Sequence, residues 1–286
     1  MRILVTGVNG QLGYDVVKAL KYRNIECIGV GRTAFDITKE NDVKKYILNY
    51  KPDAVIHCAA YTAVDKAEDE HELCHMVNVC GTENIAKACR AVDAKMVYIS
   101  TDYVFPGDGI QSYNINDNKG PLGIYGKTKL EGENAVKKIL EKYFIIRISW
   151  VFGINGNNFV KTMLHVGKDR SEINVVSDQI GSPTYTVDLA KLICDMVVTD
   201  KYGIYHATNE GYCSWAEFAE EIFKLAGYNT KINYIKTSEY HSKAVRPLNS
   251  KLDKTSLDKA GFKRLPHWKD ALKRYLKEIS DYEEHI

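Results

Sequence analysis

Met1–Gly13 reads MRILVTGVNGQLG, and this opening decides the fold. Ile3, Leu4 and Val5 form a short apolar run that stops at a glycine, the pattern of a strand buried on both faces. The amphipathic run QLGYDVVKALKY follows at once, from Gln11 to Tyr22. Gly7, Gly10 and Gly13 lie across this junction in a G-x-x-G-x-x-G spacing, one residue wider at its start than the common dinucleotide fingerprint. Glycines between a strand and a helix let the backbone approach a pyrophosphate at the helix N-terminus. Asn9, Gln11 and Leu12 share the turn and are expected to contact the same cofactor.

Working outward, ECIGVG, DAVIHCAA, KMVYIST and YFIIRISWVF are further strand-like runs, separated by helical stretches. That alternation predicts βαβ units and a Rossmann-like, doubly wound parallel sheet, an α/β fold. A helical region is expected from about Lys66 to Val92. The pattern loosens near Trp150, where EINVV and GIYHATN interleave with helices expected around 187–198, 215–226 and 268–279. The reading is an NAD(P)-binding domain over 1–150 and a smaller, mainly substrate-binding α/β lobe over 151–286, with some segments returning to the core sheet. No Gly-, Ser- or Pro-rich linker separates them, so the cleft should lie between the two.

Arg32 follows the second strand, where an acid selects a ribose 2′-hydroxyl and an arginine favours a 2′-phosphate. Arg32 therefore leans the cofactor toward NADPH over NADH, and Asp36 and Ile37 come within reach of an adenine. Tyr125 and Lys129 stand four residues apart in GIYGKTKLEGENAVKK, on one face of the expected helix. A phenol has a pKa of about 10 in water, and a neighbouring ammonium lowers it. Lys129 is expected to act in this way on Tyr125 and also to hold the nicotinamide ribose. Thr101, at the end of KMVYIST, can set its hydroxyl against the carbonyl oxygen that Tyr125 protonates.

The runs CAAYTAVDKAE, STDYVFPG, YGKTKLEGE, RISWVFG, DQIGSPT and RPLNSKL, spread over nearly the whole chain, resemble those of the dTDP-4-dehydrorhamnose reductases. These belong to the extended, sugar-nucleotide type of short-chain dehydrogenase/reductase. The resemblance implies reduction of the 4-keto group of a dTDP-6-deoxyhexulose to dTDP-L-rhamnose, with Thr101, Tyr125 and Lys129 as the catalytic triad. It gives Ala59, Ala60 and Tyr61 a cofactor-contacting role. It assigns Thr62, Val64, Tyr103, Phe105 and Trp150 to the sugar pocket and makes Arg246 a contact to the nucleotide phosphates, which suits a guanidinium. Asn78 is expected to brace the fourth strand. Some members of the family hold magnesium at a dimer interface, but here only Asp15 and Asp188 lie near the corresponding segments, a thin basis for a metal. Two rivals keep the fold: a nucleotide-sugar epimerase, and a non-catalytic regulatory subunit like the methionine adenosyltransferase beta subunit.

The remaining composition narrows the partners. Thirty-nine basic against 37 acidic residues leave a formal charge of +2, with no field to attract nucleic acid or a membrane surface. The first residues read as a strand and not as a secretion signal, so a cytoplasmic protein is expected, as monomer or homodimer. Seven cysteines without a C-x-x-C pair are expected to be buried thiols. His57, His71 and His75 offer no metal-ligating pattern.

Overall fold

The computed structural model describes residues 1–283. Its centre is a six-stranded parallel sheet. Five of its strands come in the expected rhythm: β1 (Arg2–Thr6), α1 (Gln11–Tyr22), β2 (Glu26–Val30), α2 (Glu40–Tyr50) and β3 (Ala54–His57) open the chain. Two short helices, α3 (Val64–Ala67) and α4 (His71–His75), lead through a π-helical turn at Met76–Gly81 into α5 (Thr82–Ala91). Then come β4 (Lys95–Thr101), α6 (Ile124–Ile139) and β5 (Tyr143–Ile148). The sixth strand is Gly203–His206, which leaves the second half of the chain to pair with β5. The spatial order is therefore 203–206, β5, β4, β3, β1, β2. The chain reverses direction across the sheet at β1, so a crevice opens beyond the carboxyl ends of β1 and β3.

Both faces of the sheet are covered, which is why its strands read as unbroken apolar runs. Ile3, Val5, Ile56 and Ile146 pack with Leu12, Val16, Leu189 and Ile193, from α1 and the helix Thr186–Val197. Leu4, Val55, Met96 and Ile145 pack on the other face with Val43, Ile47, Ile85 and Val136. A separate core, built from Phe152, Val160, Phe218, Ile222, Trp268 and Tyr275, joins the helices Phe159–Asp169, Trp215–Ala226 and Trp268–Glu283. The helix expected over 66–92 is thus broken and re-formed. The π-turn inserts one residue per turn at Asn78, and such turns occur often at functional sites. Among the described residues no helix is long and apolar enough to cross a membrane. All seven thiols are free, but Cys27, Cys58 and Cys80 are partly exposed and not buried as expected.

Candidate active site

A cavity of about 890 Å³ occupies the crevice at the carboxyl ends of the strands. Its floor is the glycine turn. Gly7 has φ +71°, and a Cβ there would meet the Ala59 backbone nitrogen at 2.6 Å. A Cβ on Gly13 would meet the Gly7 carbonyl oxygen at 2.3 Å. Only glycine lets the turn fold back on itself and run against the β3 exit, and α1 then points its N-terminus into the cavity. Together they make a concave run of backbone at a helix N-terminus, a shape that can receive a pyrophosphate. Residues far along the chain brace it: Asn155 Nδ2 donates to the Asn9 carbonyl at 2.8 Å and Asn158 Nδ2 to Gln11 Oε1 at 3.0 Å.

The cofactor residues read from the sequence all line this cavity: Gly7, Asn9, Gly10, Gln11, Leu12, Arg32, Asp36, Ile37, Ala59, Ala60, Tyr61, Tyr125 and Lys129. Arg32 is exposed at the rim. Asp36 accepts from the Thr38 nitrogen and hydroxyl, and these bonds hold its pKa below the usual carboxylate range. Asn78 does not brace β4 with its side chain as expected. Its Oδ1 accepts from Tyr61 N at 2.8 Å, while Nδ2 donates to the Tyr61 carbonyl and to Thr128 Oγ1. An amide with both ends engaged in this way ties the β3 exit to α6. His57 is a satisfied core group, bonded to Thr6 and close to Thr82, and burial pushes its pKa down to about 3.

Helix α6 has no side-chain cap of its own. Glu68 supplies one, its Oε1 accepting from Ile124 N at 2.8 Å, so a carboxylate sits at the positive end of the helix that carries Tyr125. Tyr125 packs edge-on against Tyr103, ring centroids 5.6 Å apart. Burial raises the Tyr125 pKa. Lys129 was expected to depress it, and the phenol is raised instead. Lys129 Nζ donates to the Ile99 carbonyl at 2.7 Å and sits 4.1 Å from the Tyr98 ring centroid, with its own pKa pushed down to about 7 by burial. A raised phenol keeps its proton at neutral pH, which is the state a proton donor needs.

Thr62, Val64, Thr101, Tyr103 and Trp150 line the same cavity. Trp150 holds φ +50°, the left-handed region that a bulky side chain seldom enters, and stacks on Trp215 with centroids 3.7 Å apart. Thr62, Val64 and Trp150 also border a second cavity of about 460 Å³, which adds Asp65, Phe159, Trp215 and Arg246. Arg246 Nη2 pairs with Asp65 Oδ2 at 2.6 Å, while its Nε is buried without a partner. Phe105 is the exception among the expected residues. It lines neither cavity, being buried at 1 % exposure and stacked on Tyr113 at 4.4 Å, because the strand-to-turn geometry after Thr101 directs it into the core. The sequence reading missed Asp65, Asp102 and Trp215; the two aspartates sit inside the quoted motifs, but nothing local marks Trp215.

The acids named for magnesium are otherwise engaged. Both Asp188 oxygens accept from Arg274, at 2.8 and 2.7 Å, and Asp15 Oδ2 accepts from Thr186 Oγ1 at 2.5 Å. No cluster of three or more His, Cys, Asp or Glu that could hold a metal occurs among the described residues. Within one chain the two acids do not make a site for a divalent cation.

A doubly wound sheet with a glycine cradle at its switch point defines the nucleotide-binding α/β class to which NAD(P)-dependent reductases belong. Residues 1–281 match the RmlD substrate binding domain family, and the chain belongs to it. It is 41 % identical to the spore coat polysaccharide biosynthesis protein SpsK of Bacillus subtilis, over 98 % of each chain. A solved dTDP-4-dehydrorhamnose reductase of Clostridium acetobutylicum superimposes with a TM-score of 0.96 at 44 % identity, covering 98 % of this chain and 100 % of that one. The dTDP-4-dehydrorhamnose reductase of Bacillus anthracis, solved in complex with NADP, gives 0.95 at 44 % identity, covering 97 % and 99 %.

Proposed function

We propose that this chain reduces the 4-keto group of dTDP-4-dehydro-L-rhamnose to dTDP-L-rhamnose with NADPH, or less favourably NADH, as reductant. The observation that carries the reading is that the glycine cradle, Thr101, Tyr125, Lys129 and Trp150 line one cavity, which borders Arg246 through Thr62 and Val64. Family membership supports the reaction, and the relatives named dTDP-4-dehydrorhamnose reductase support the substrate. The NADP complex of the Bacillus anthracis relative supports the cofactor, and the name of SpsK supports a product destined for polysaccharide.

Bound NADPH supplies a hydride to sugar C4. Tyr125 gives its proton to the C4 oxygen, and its raised pKa keeps that proton available. Lys129 holds the nicotinamide ribose, while Thr101 faces the same oxygen. Residues 151–286 act mainly as the substrate lobe, with Arg246 on the diphosphate and Trp150 against the sugar. Closing the cavity over the sugar excludes water from the transfer.

The test is to incubate the purified chain with NADPH and dTDP-4-keto-6-deoxyhexose generated in situ, following the reduced-nicotinamide absorbance. Loss of absorbance with appearance of dTDP-L-rhamnose is expected. Epimerised sugar without net consumption of NADPH would make the chain an epimerase, and no turnover together with a stoichiometric protein partner would make it a regulatory subunit.

A further inference from the structure

We propose that Asp102 is a positioning residue for carbonyl reduction: its neutral carboxyl frees the Thr101 hydroxyl to donate to the substrate oxygen, and its carboxylate withdraws that hydroxyl. The inference rests on the reductase reading. Thr101 Oγ1 donates to Asp102 Oδ1 at 2.9 Å and accepts from Tyr103 N at 3.2 Å. A hydroxyl has one proton and two lone pairs. With the proton spent on Asp102 and one lone pair on Tyr103, Thr101 offers Tyr125 and the cavity a lone pair alone. An oxygen gathering negative charge in the transition state needs donors, so this arrangement cannot assist it. Thr101 becomes a donor when the bond to Asp102 reverses. That reversal requires a proton on the carboxyl, which then donates to Thr101 Oγ1 across the same distance.

The surroundings of Asp102 favour the reversal. Asp102 is only 4 % exposed and lines the main cavity, and its Oδ2 is buried with no hydrogen-bond partner. A buried carboxylate with one unpaired oxygen loses its hydration without replacement, and a proton removes the charge. Burial accordingly raises the group to about 6, against the pull of the neighbouring Ser250 hydroxyl, which stands near it outside hydrogen-bonding geometry, of Thr101 and of two backbone N–H groups. The ionisable side chains set around it are Tyr103, Tyr125, Arg246 and Lys129, with Arg32, Asp36, Cys58 and Tyr61 elsewhere along the cavity. Tyr103 from the same turn and Tyr125 from α6 are raised by burial and stay neutral. Arg246, reaching Tyr103 from the C-terminal segment, stays charged. Lys129, held near 7, is the other group that titrates in this range, and it is common to every variant below. Asp102 keeps its proton throughout the reaction; the proton delivered to the sugar is that of Tyr125.

The experiment measures kcat/KM for the dTDP-4-keto sugar with NADPH from about pH 5 to about pH 8, in wild type, Asp102→Asn and Ser250→Ala. An asparagine amide presents N–H to Thr101 at every pH. The ratio of wild type to Asp102→Asn should fall about tenfold or more over that range. Removing the Ser250 hydroxyl, which pulls Asp102 down, should move the wild-type fall to higher pH, and this second variant decides the matter if Asp102→Asn does not fold. A ratio that is constant with pH, or a fall unmoved in Ser250→Ala, overturns the proposal. If wild type oxidises no NADPH, the reductase reading fails instead, and infrared spectra still decide the state of Asp102. A protonated-carboxyl band present at about pH 5, lost by about pH 8 and missing from Asp102→Asn supports the proposal; no such band at the lower pH overturns it.

Discussion

The two ends of the cavity are made in different ways. The end we propose for the cofactor is built on main chain: three strand exits, at residues 7–13, 31–37 and 58–61, bring the glycine turn and its neighbours to the carboxyl edge of the sheet. The end we propose for the sugar is built from side chains. Thr62, Asp65, Tyr103, Trp150, Trp215 and Arg246 converge from segments up to about 180 residues apart, and the convergence includes a tryptophan at φ +50° and an ion pair. A backbone site tolerates change away from its glycines, because its geometry is fixed by sheet topology. A side-chain site depends on each member, and substitutions there should act on substrate and leave cofactor alone.

The sharpest cut between the two ends is Tyr125→Phe. Loss of the phenolic proton should lower kcat by about 10² to 10⁴. NADPH affinity should change little, because the ring that packs against Tyr103 is retained. Single-turnover hydride transfer and NADPH titration calorimetry check the two halves of the statement. Near-normal turnover removes Tyr125 from the chemistry, and a parallel loss of NADPH affinity would place the phenol on the cofactor side of the division.

Next in size is Arg246→Ala. A charge-assisted bond to a phosphate is worth about 1.5 to 3 kcal/mol, so the Michaelis constant for the dTDP-sugar should rise about ten- to hundredfold with that for NADPH unchanged. The variant leaves Asp65 without its partner, but that carboxylate is 46 % exposed and can be hydrated, so stability should change little. An unchanged affinity for dTDP with a lowered melting temperature would mean that Arg246 serves only Asp65.

Asp15 tests whether the cofactor end is held from the second half of the chain. It lies 2 % exposed on α1 beneath the glycine turn, accepts from Thr186, and has one oxygen without a partner. Burial is the main cause that raises it from 3.8 to about 6. The folded chain therefore binds more protons than the unfolded one between those values, so stability falls as pH rises through them, opposite to a salt-bridged carboxylate. Asp15→Asn should remove this contribution, on the order of 2 kcal/mol at neutral pH, and the gap between wild type and variant should close below about pH 4. Denaturant melts at both pH values measure it. A gap independent of pH would show that Asp15 is not the titrating group.

This division also explains what the sequence could reveal. The strand–glycine–helix junction, the βαβ rhythm and the Tyr125–Lys129 spacing are local, and local patterns carry local geometry. Some segments of the second half were expected to return to the core sheet, but not which; Gly203–His206 does so beside β5, because strand pairing is decided by topology and not by neighbours in sequence. Phe105 sits in a motif with Thr101 and Tyr103, yet its side chain turns to Tyr113 and the core; a motif does not state which way each member faces. Trp215 begins an ordinary amphipathic helix and enters the site only by stacking on Trp150. The electrostatics were the least legible. Lys129 was expected to depress Tyr125, but burial raises the phenol instead, and how far a group is buried depends on the whole fold.

The smallest expected effect is at Arg32, and it bears on the rule that the cofactor end is backbone. Arg32 lies two residues beyond β2, exposed at the rim of the cavity. From there a guanidinium can meet a 2′-phosphate only in water, where a single charge contact contributes about 1 kcal/mol or less. Arg32→Asp exchanges that cation for a carboxylate suited to a ribose hydroxyl, so the ratio of kcat/KM for NADPH to that for NADH should fall several-fold, with kcat almost unchanged. Raising the salt concentration should shrink the difference, because exposed charges are screened over about 10 Å at 0.1 M. A shift of a hundredfold would mean that Arg32 closes over the phosphate and is desolvated there, which would make one side chain as decisive at the cofactor end as Arg246 is at the other. Unchanged constants for both cofactors would leave the choice between them to the backbone and to Asp36, whose carboxylate is already engaged by Thr38.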